Sequence, residues 1–216
     1  SSINLSLAAP EVFLLVMTCV VMLVDLFSAP EQREGRLFFL SVFTLILLAL
    51  SFVPSFLGPV PAPRYAFSNM FVLDSMSIML KMAIAIAVML VIVYSRAYLV
   101  TRKMFTGEFV LLILFATLGM MIMVSANHFV ALYLGLELLA LSSYAMVALN
   151  RDSVTSSEAA MKYFILGALA SGLLLYGMSM VYGATGSLDV TKIARMIDYS
   201  RANDPLVTFG LVFVVA

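Results

Sequence analysis

Glu137 is the first candidate for chemistry in this sequence, because it is a lone carboxylate inside a long apolar run. The run 128–149 is long enough to cross a bilayer, and Glu137 falls near its midpoint. At 1.5 Å per residue the carboxylate lies ~18 Å from the end near Leu149, too far for its side chain to reach water. A charge at this depth costs ~2.5–3.5 kcal/mol and is usually buried, paired or functional. Such a residue indicates proton or ion movement, and the alternative is a protonated glutamate that is hydrogen-bonded to a neighbouring helix.

Lys162 is the second candidate, since it lies about seven residues into the next apolar run, ~10 Å deep. Consecutive spans are antiparallel, so Lys162 and Glu137 differ in depth by only ~7–8 Å. Helical side chains lean toward the N-terminal end of their own helix, which takes Lys162 away from Glu137. Contact through water is therefore at least as well supported as a direct ion pair, and the alternative is that Lys162 extends to the near surface.

Polar residues flank Glu137 on the same run. Tyr133 and Tyr144 lie at helical spacing from it and are candidates for hydrogen bonds to the carboxylate or to a water chain. Packing alone is the other interpretation of these tyrosines. His128, at the start of the run, is interpreted as an interfacial residue, with a proton relay as the alternative.

Three further ionisable residues lie in apolar runs near their ends. Asp25 falls in the last turn of the first span and is expected to reach the headgroups. Lys81 lies about two turns into the third span, so we expect its side chain to extend back to the nearby surface. Glu11, beside Pro10 in the first turn of the first span, complements the positive end of the helix dipole.

Composition sets the class of protein. The chain is 63% hydrophobic and 11% charged, whereas soluble domains are about 45–50% apolar and about 25% charged. A soluble core of this size cannot hide so much apolar surface, so we predict an all-α polytopic membrane protein. Its 12 basic and 12 acidic residues balance, which favours no nucleic-acid partner. The sequence shows no Cys/His cluster, phosphate-binding glycine loop or nucleophile elbow.

Six spans and the beginning of a seventh follow from the apolar runs. The run that ends the chain, 206–216, is about half of what a span needs, so we expect an N-terminal piece of a larger protein. The predicted spans are 10–28, 37–57, 74–94, 108–124, 128–149 and 155–182.

Local signals complete this organisation. Asp74 is predicted to cap the third span, and Thr155-Ser-Ser-Glu158 matches a capping box for the sixth. In the sixth span, the pairs Gly167/Ser171 and Ala168/Gly172 predict close helix packing that holds Lys162 toward protein. The segment 188–201 has apolar residues at helical spacing and is expected to lie flat on the membrane surface.

Loop charges predict the orientation. Alternate loops carry six basic residues against four in the opposite loops, which puts the N-terminus outside. The six are Arg33, Arg36, Arg96, Arg102, Lys103 and Arg151, and the four are Arg64, Lys192, Arg195 and Arg201.

The residues around both candidates resemble a known family. Asn127-His-Phe-Val-Ala-Leu-Tyr-Leu-Gly-Leu-Glu137-Leu-Leu-Ala-Leu-Ser-Ser-Tyr is similar to span five of the antiporter-like membrane subunits of bacterial respiratory complex I, the NADH-quinone oxidoreductase. Glu158-Ala-Ala-Met-Lys162-Tyr-Phe-Ile-Leu-Gly and Tyr182-Gly-Ala-Thr-Gly-Ser-Leu are similar to span six and the segment that follows it. The resemblance covers about 74–216 well, and the first two spans mainly by pattern.

The resemblance implies a non-redox, proton-translocating subunit that binds no flavin, iron–sulfur cluster or other cofactor. Glu137 would be its ionisable switch, and Lys162 would lie near a water-filled half-channel. The implied fold has two inverted five-helix repeats. This chain would hold three leading helices, 1–106, and the first part of one repeat, 107–216.

The resemblance also implies the partners and the cellular location of the chain. The partners would be the other membrane-arm subunits, the lipid bilayer, protons and water, in a bacterial inner membrane. The family's main partner for Glu137 is a Lys on a broken seventh helix, beyond this sequence, so the chain alone is not expected to pump. A cation/proton antiporter subunit on the same scaffold and a structural segment without its own transport path stay open as alternatives.

Overall fold

The computed structural model describes residues 4–57, 62–197 and 204–215, and the fold is almost entirely helical. Six of the described helices are long and apolar enough to cross a membrane, which makes this a multi-pass membrane protein. A short 3-10 helix, Leu5–Ala8, precedes the first of them. The helices are α1 Ala9–Phe27, α2 Pro30–Phe52, α3 Pro54–Leu57, α4 Ser75–Thr101, α5 Gly107–Val124, α6 Phe129–Val147, α7 Val154–Thr185, α8 Val190–Met196 and α9 Pro205–Val215.

Helices α1, α2, α4 and α5 pack around one apolar core. Helices α1 and α4 each face this core with a stripe of buried residues at helical spacing, and the stripe of α1 is Glu11, Leu14, Thr18 and Val21. In α4 the stripe includes Ile78, Lys81, Ala85, Val88 and Ile92. Both stripes therefore place one charged residue in the core.

The remaining spans follow in a row, with α6 packed on α5, α7 on α6 and α9 on α7. Glycines allow the closest approaches. A Cβ atom on Gly119 of α5 would lie 2.7 Å from the carbonyl oxygen of Gly135 in α6. In the same way, a Cβ on Gly177 of α7 would lie 2.7 Å from the carbonyl oxygen of Gly210 in α9.

One end of the bundle, which we call the hairpin end, carries a two-stranded hairpin between the predicted spans 37–57 and 74–94, where the sequence analysis predicts no strand. Strands β1, Arg64–Ala66, and β2, Phe71–Leu73, pair antiparallel. Asn127, in the α5–α6 link, joins the hairpin to the segment after α7, since its Nδ2 donates to the Asn69 carbonyl and its Oδ1 accepts from Thr191. This end is thus held by hydrogen bonds from three parts of the chain.

The opposite end, which we call the basic end, contains ion pairs between different parts of the chain. Asp25 accepts hydrogen bonds from both Nε and Nη2 of Arg33 at 2.5 and 2.6 Å, and Gly107 at the start of α5 leaves room for that carboxylate. Asp25 thus lies at the end of its span, as predicted, and there it forms a bidentate ion pair with Arg33. Arg151 pairs with Glu108 at 2.8 Å.

Helix boundaries confirm one predicted cap and correct another. Asp74 caps α4 in a reciprocal capping box with Ser77. The box predicted at Thr155-Ser-Ser-Glu158 is wrong, because Ser153 is the N-cap of α7 and accepts from the backbone of Ser156. The structure starts α2 earlier and ends α4 later than the apolar runs suggest, because helices extend beyond the hydrocarbon layer into polar sequence.

The segment after α7 forms a short helix, as its apolar spacing predicts. Only Val190–Met196 forms α8, and the end of the predicted segment lies outside the described residues. Ile193 is buried against Phe129, Met178 and Val181, so the apolar face of α8 packs on protein.

Candidate functional site

Glu137 lies near the middle of the 19-residue α6, as the sequence predicts. It is half-buried, and its Oε1 atom is enclosed without a hydrogen-bond partner among the described residues. It also forms no ion pair there, since the described ion pairs involve other carboxylates. An enclosed, unpartnered carboxyl oxygen at this depth is unfavourable, and it is suited to exchange a proton or to accept a cation or water.

Tyr133 and Tyr144 both lie close enough to act on Glu137, which agrees with their helical spacing. The Tyr133 side chain interacts with the carboxyl group from one turn earlier. Tyr144 interacts with it electrostatically from the other side. Two hydroxyl groups therefore accompany Glu137 along α6, on either side of it.

Tyr144 also connects α6 to α7. Its ring meets the rings of Tyr163 and Phe164 edge to face, with centroids 4.8 and 5.8 Å apart. Its hydroxyl group lies directly over Gly167, where a Cβ atom would collide with it. The hydroxyl is thus placed between the helix of Glu137 and the helix of Lys162.

We expect Gly167→Ala to displace the Tyr144 hydroxyl and to destabilise the α6–α7 contact by ~1–3 kcal/mol, because the aromatic contacts leave the ring little room to retreat. Gly172→Ala on the same helix is the matched control, since a Cβ there meets nothing within 4 Å. The control should be neutral or stabilising by ~0.5–1 kcal/mol. Thermal unfolding of the full-length protein in detergent measures both, and equal stability of the two variants would contradict the role given to Gly167.

Lys162 lies apart from Glu137. Its Nζ atom pairs with Glu158 Oε1 at 2.6 Å, one turn earlier on α7, and its side chain is 70% exposed. The lean toward its own helix N-terminus is as predicted, and the structure shows no direct ion pair with Glu137 among the residues it describes. The predicted close packing holds for the pair Gly167/Ser171, since Gly167 lies under Tyr144 and Ser171 is buried, but Ala168 is exposed and Gly172 meets nothing within 4 Å. Lys162 itself is not held toward protein in the described structure.

His128 is the N-cap of α6. Its Nδ1 atom accepts a hydrogen bond from the backbone of Val130 at 3.3 Å, and the side chain is half-buried at the hairpin end. The structure thus gives His128 a capping contact and does not place it beside Glu137.

A buried ion pair between Glu11 and Lys81 is the main feature that sequence reasoning missed. Lys81 Nζ lies 2.5 Å from Glu11 Oε1, and the two side chains are 0% and 8% exposed. Extension of Lys81 to the surface is therefore wrong. The available signal was position, because both residues occupy the apolar stripes of their helices.

Comparison with known proteins gives the family. The family model described as NADH:quinone oxidoreductase/Mrp antiporter, TM, matches residues 126–216. NADH-quinone oxidoreductase subunit N of Nitrosomonas europaea is 56% identical over 209 residues, which are 97% of this chain and 43% of that relative. The chain thus spans less than half the length of the curated relatives it matches.

Solved structures agree with this assignment. A chain of respiratory complex I from Thermus thermophilus is 26% identical and superposes with a TM-score of 0.73, over 95% of this chain and 42% of that one. A chain of an archaeal membrane-bound sulfane sulfur reductase, 22% identical, shares the fold with a TM-score of 0.81 over 98% of this chain and 44% of that one. The chain therefore belongs to the antiporter-like family of membrane subunits that includes NADH-quinone oxidoreductase subunit N.

Proposed function

We propose that this chain is part of a proton-moving, non-redox membrane subunit of an NADH-quinone oxidoreductase. In this proposal the chain itself binds no redox cofactor and works beside other membrane-arm subunits in a bacterial inner membrane. Redox chemistry elsewhere in the assembly would supply the free energy, which makes the subunit a translocase by its action. The 56% sequence identity to subunit N of Nitrosomonas europaea, over 97% of this chain, supports this assignment.

The observation that carries the proposal is the enclosed and unpartnered oxygen of Glu137 near the middle of a membrane span. A cation or water that approaches the carboxylate stabilises its charged form, and withdrawal of that partner favours the protonated form. A tenfold change in proton affinity corresponds to ~1.4 kcal/mol, so modest charge movements suffice to load and unload the site.

Lys162 and the tyrosines have separate parts in this proposal. The ammonium group of Lys162 is held by an exposed glutamate, Glu158, and has only to rotate away from it to change the field near α6. Tyr144 reaches across to α7, and its hydroxyl group is suited to relay a proton or to order a water between the two helices.

Glu137→Gln in the full-length subunit within its assembly should abolish or sharply reduce proton pumping coupled to NADH oxidation. The amide keeps the shape of the side chain but cannot carry the proton. Glu34→Gln, at an exposed carboxylate of α2, is the control and should pump normally. Pumping is measured in reconstituted vesicles with a pH-sensitive dye, and unchanged pumping by the Glu137→Gln variant would leave this segment a structural role only.

We further propose that the N-terminus faces outward. Arg33, Arg102, Lys103 and Arg151 together line one polar cleft at the basic end. A concentration of basic residues favours the cytoplasmic side. The hairpin end, where α1 begins, would then face the opposite side.

A cation/proton antiporter is the second candidate, because the matching family model includes Mrp antiporters. Glu137 and Lys162 would serve either function. The two functions differ in their ion requirement, since an antiporter exchanges protons for sodium or another cation without NADH. Sodium-driven proton movement by the full-length protein alone would favour the antiporter, and NADH-dependent pumping would favour the oxidoreductase.

A further inference from the structure

Glu11 and Lys81 form a closed polar site at the hairpin end, far along the chain from Glu137. Glu11 comes from the first turn of α1 and Lys81 from the second turn of α4. Their ion pair, at 2.5 Å, is almost fully removed from solvent. Neither residue lies in the part of the chain, 126–216, that the family model matches.

The surroundings of the pair are incomplete as a hydrogen-bonding site. Neither carboxylate oxygen of Glu11, nor Lys81 Nζ, has a hydrogen-bond partner of good geometry among the described residues. The ammonium has instead a second, aromatic partner, because Lys81 Nζ lies 4.6 Å from the ring centroid of Phe71 in the hairpin. The cation is thus held from two sides, whereas the carboxylate has free lone pairs.

The charges of Glu11 and Lys81 are not needed merely to hold α1 and α4 in the bundle. Replacement of a buried ion pair by apolar side chains is often neutral or stabilising, because desolvation of the two charges offsets their attraction. Leu14 of α1 and Ile78 of α4 belong to the same apolar core, which already holds both helices in the bundle. An ionisable pair inside a membrane bundle is therefore better explained by a task that needs ionisation.

We propose that Glu11 and Lys81 form a second proton-binding site, which exchanges its proton with the solution at the hairpin end. In the unloaded state the Glu11 carboxylate pairs with the Lys81 ammonium. In the loaded state one proton from solution binds a Glu11 carboxylate oxygen, and the ammonium keeps its charge and stays on the Phe71 ring. Release of that proton restores the ion pair, so the site gains and loses one positive charge.

The charged groups around the site are few. Asp74, the cap of α4, lies about two turns before Lys81 on the same helix. Arg64 on β1 is exposed. The core-facing stretches 37–52 of α2 and 109–124 of α5 carry no charged residue. Glu11 is therefore the group whose protonation changes the local charge.

In this proposal the proton passes through a cavity beside the pair, whose wall holds chain neighbours of Glu11 but neither Glu11 nor Lys81 itself. The cavity has a volume of about 530 Å³ and opens between α1 and α2 at this end of the bundle. Its wall includes Pro10, the neighbour of Glu11 in the chain, and Ser6, Ser51 and Ser55, whose hydroxyl groups are suited to hold water. The Glu11 side chain is 8% exposed, against 0% for Lys81, and both carboxylate oxygens are enclosed, so proton exchange requires water to enter from the cavity.

The test is an infrared pH titration of the full-length protein in its membrane assembly. A buried carboxyl group that loads a proton gives a carbonyl band that appears as the pH falls. The variant Glu11→Gln with Lys81→Met removes both charges together, and we expect it to lack one such band. An unchanged set of titrating carboxyl bands in this double variant would overturn the proposal.

A second pair of variants leaves both charged residues in place. Phe71→Leu removes the ring that holds the ammonium when Glu11 is neutral, so protonation of Glu11 should require more acid and the midpoint should fall to lower pH. Phe67→Leu is the control, since that ring meets Phe71 edge to face at 6.2 Å and makes no cation–π contact with Lys81. An equal midpoint in Phe71→Leu and the wild type would overturn the proposal even where the double variant does not assemble.

Discussion

Lys81→Met is expected to destabilise the full-length protein by ~3–5 kcal/mol, because it leaves the Glu11 carboxylate buried without its cation. The side chain of Lys81 is 0% exposed and that of Glu11 8%, so water cannot replace the lost partner without opening the helix contact. The loss should appear in thermal or denaturant unfolding in detergent, and as reduced amounts of folded protein in the membrane.

A double variant shows whether the stability loss in Lys81→Met comes from the unpaired Glu11 charge or from the lost packing of the lysine side chain. Glu11→Gln together with Lys81→Met should recover most of the stability lost by Lys81→Met, since no unpaired charge stays in the core. Lys103→Met, at an exposed position after α4, is the matched control and should change stability by less than ~0.5 kcal/mol. A single variant as stable as this control would mean that water or a neighbouring group already satisfies the carboxylate.

The sequence predicts the spans well because lipid imposes a simple rule on them. Apolar runs long enough to cross the bilayer must be helices, since their backbone groups have no other partner there. All six predicted spans are present, together with the cap at Asp74. Their ends are less predictable, because a helix continues past the apolar layer for as long as polar residues tolerate it, as at the start of α2 and the end of α4.

The hairpin end and the Glu11–Lys81 pair lie beyond that rule. A short strand pair between Pro-rich and polar residues carries little apolar periodicity, so the sequence predicts no strand there. Lys81 lies two turns from a helix end, where extension to the surface and burial are both sterically open. The tertiary partner decides between them, and Glu11 lies far earlier in the chain, on a helix whose rotation the sequence alone does not give.

The candidate site shows the same division. The position of Glu137 near the middle of α6 and its tyrosine neighbours follow from helical spacing and are found in the structure. The partner of Lys162 does not follow from depth, because Glu158 lies one turn away on the same helix and competes with Glu137. The roles of both residues in proton transfer stay predictions.

Gly119→Ala is expected to have the largest effect on the geometry of the Glu137 site, although it touches no ionisable group. A Cβ atom there would lie 2.7 Å from the Gly135 carbonyl oxygen and 2.8 Å from the Leu139 backbone nitrogen. Backbone atoms cannot rotate away as a side chain can, so α5 and α6 must separate. We expect a loss of ~1–3 kcal/mol in stability, together with reduced proton pumping, because Gly135 and Leu139 flank Glu137 on α6.

Gly183→Ala on α7 distinguishes this effect from a general sensitivity of glycine positions. A Cβ on Gly183 meets nothing within 4 Å, and alanine is the better helix former, so this variant should be neutral or stabilising by ~0.5–1 kcal/mol. Thermal unfolding and NADH-coupled pumping are measured on both variants in the same assembly. If Gly119→Ala lowers stability and leaves pumping at the wild-type level, the position of Glu137 tolerates a shift of its helix, and a flexible water chain rather than a fixed contact must connect it to its proton partners.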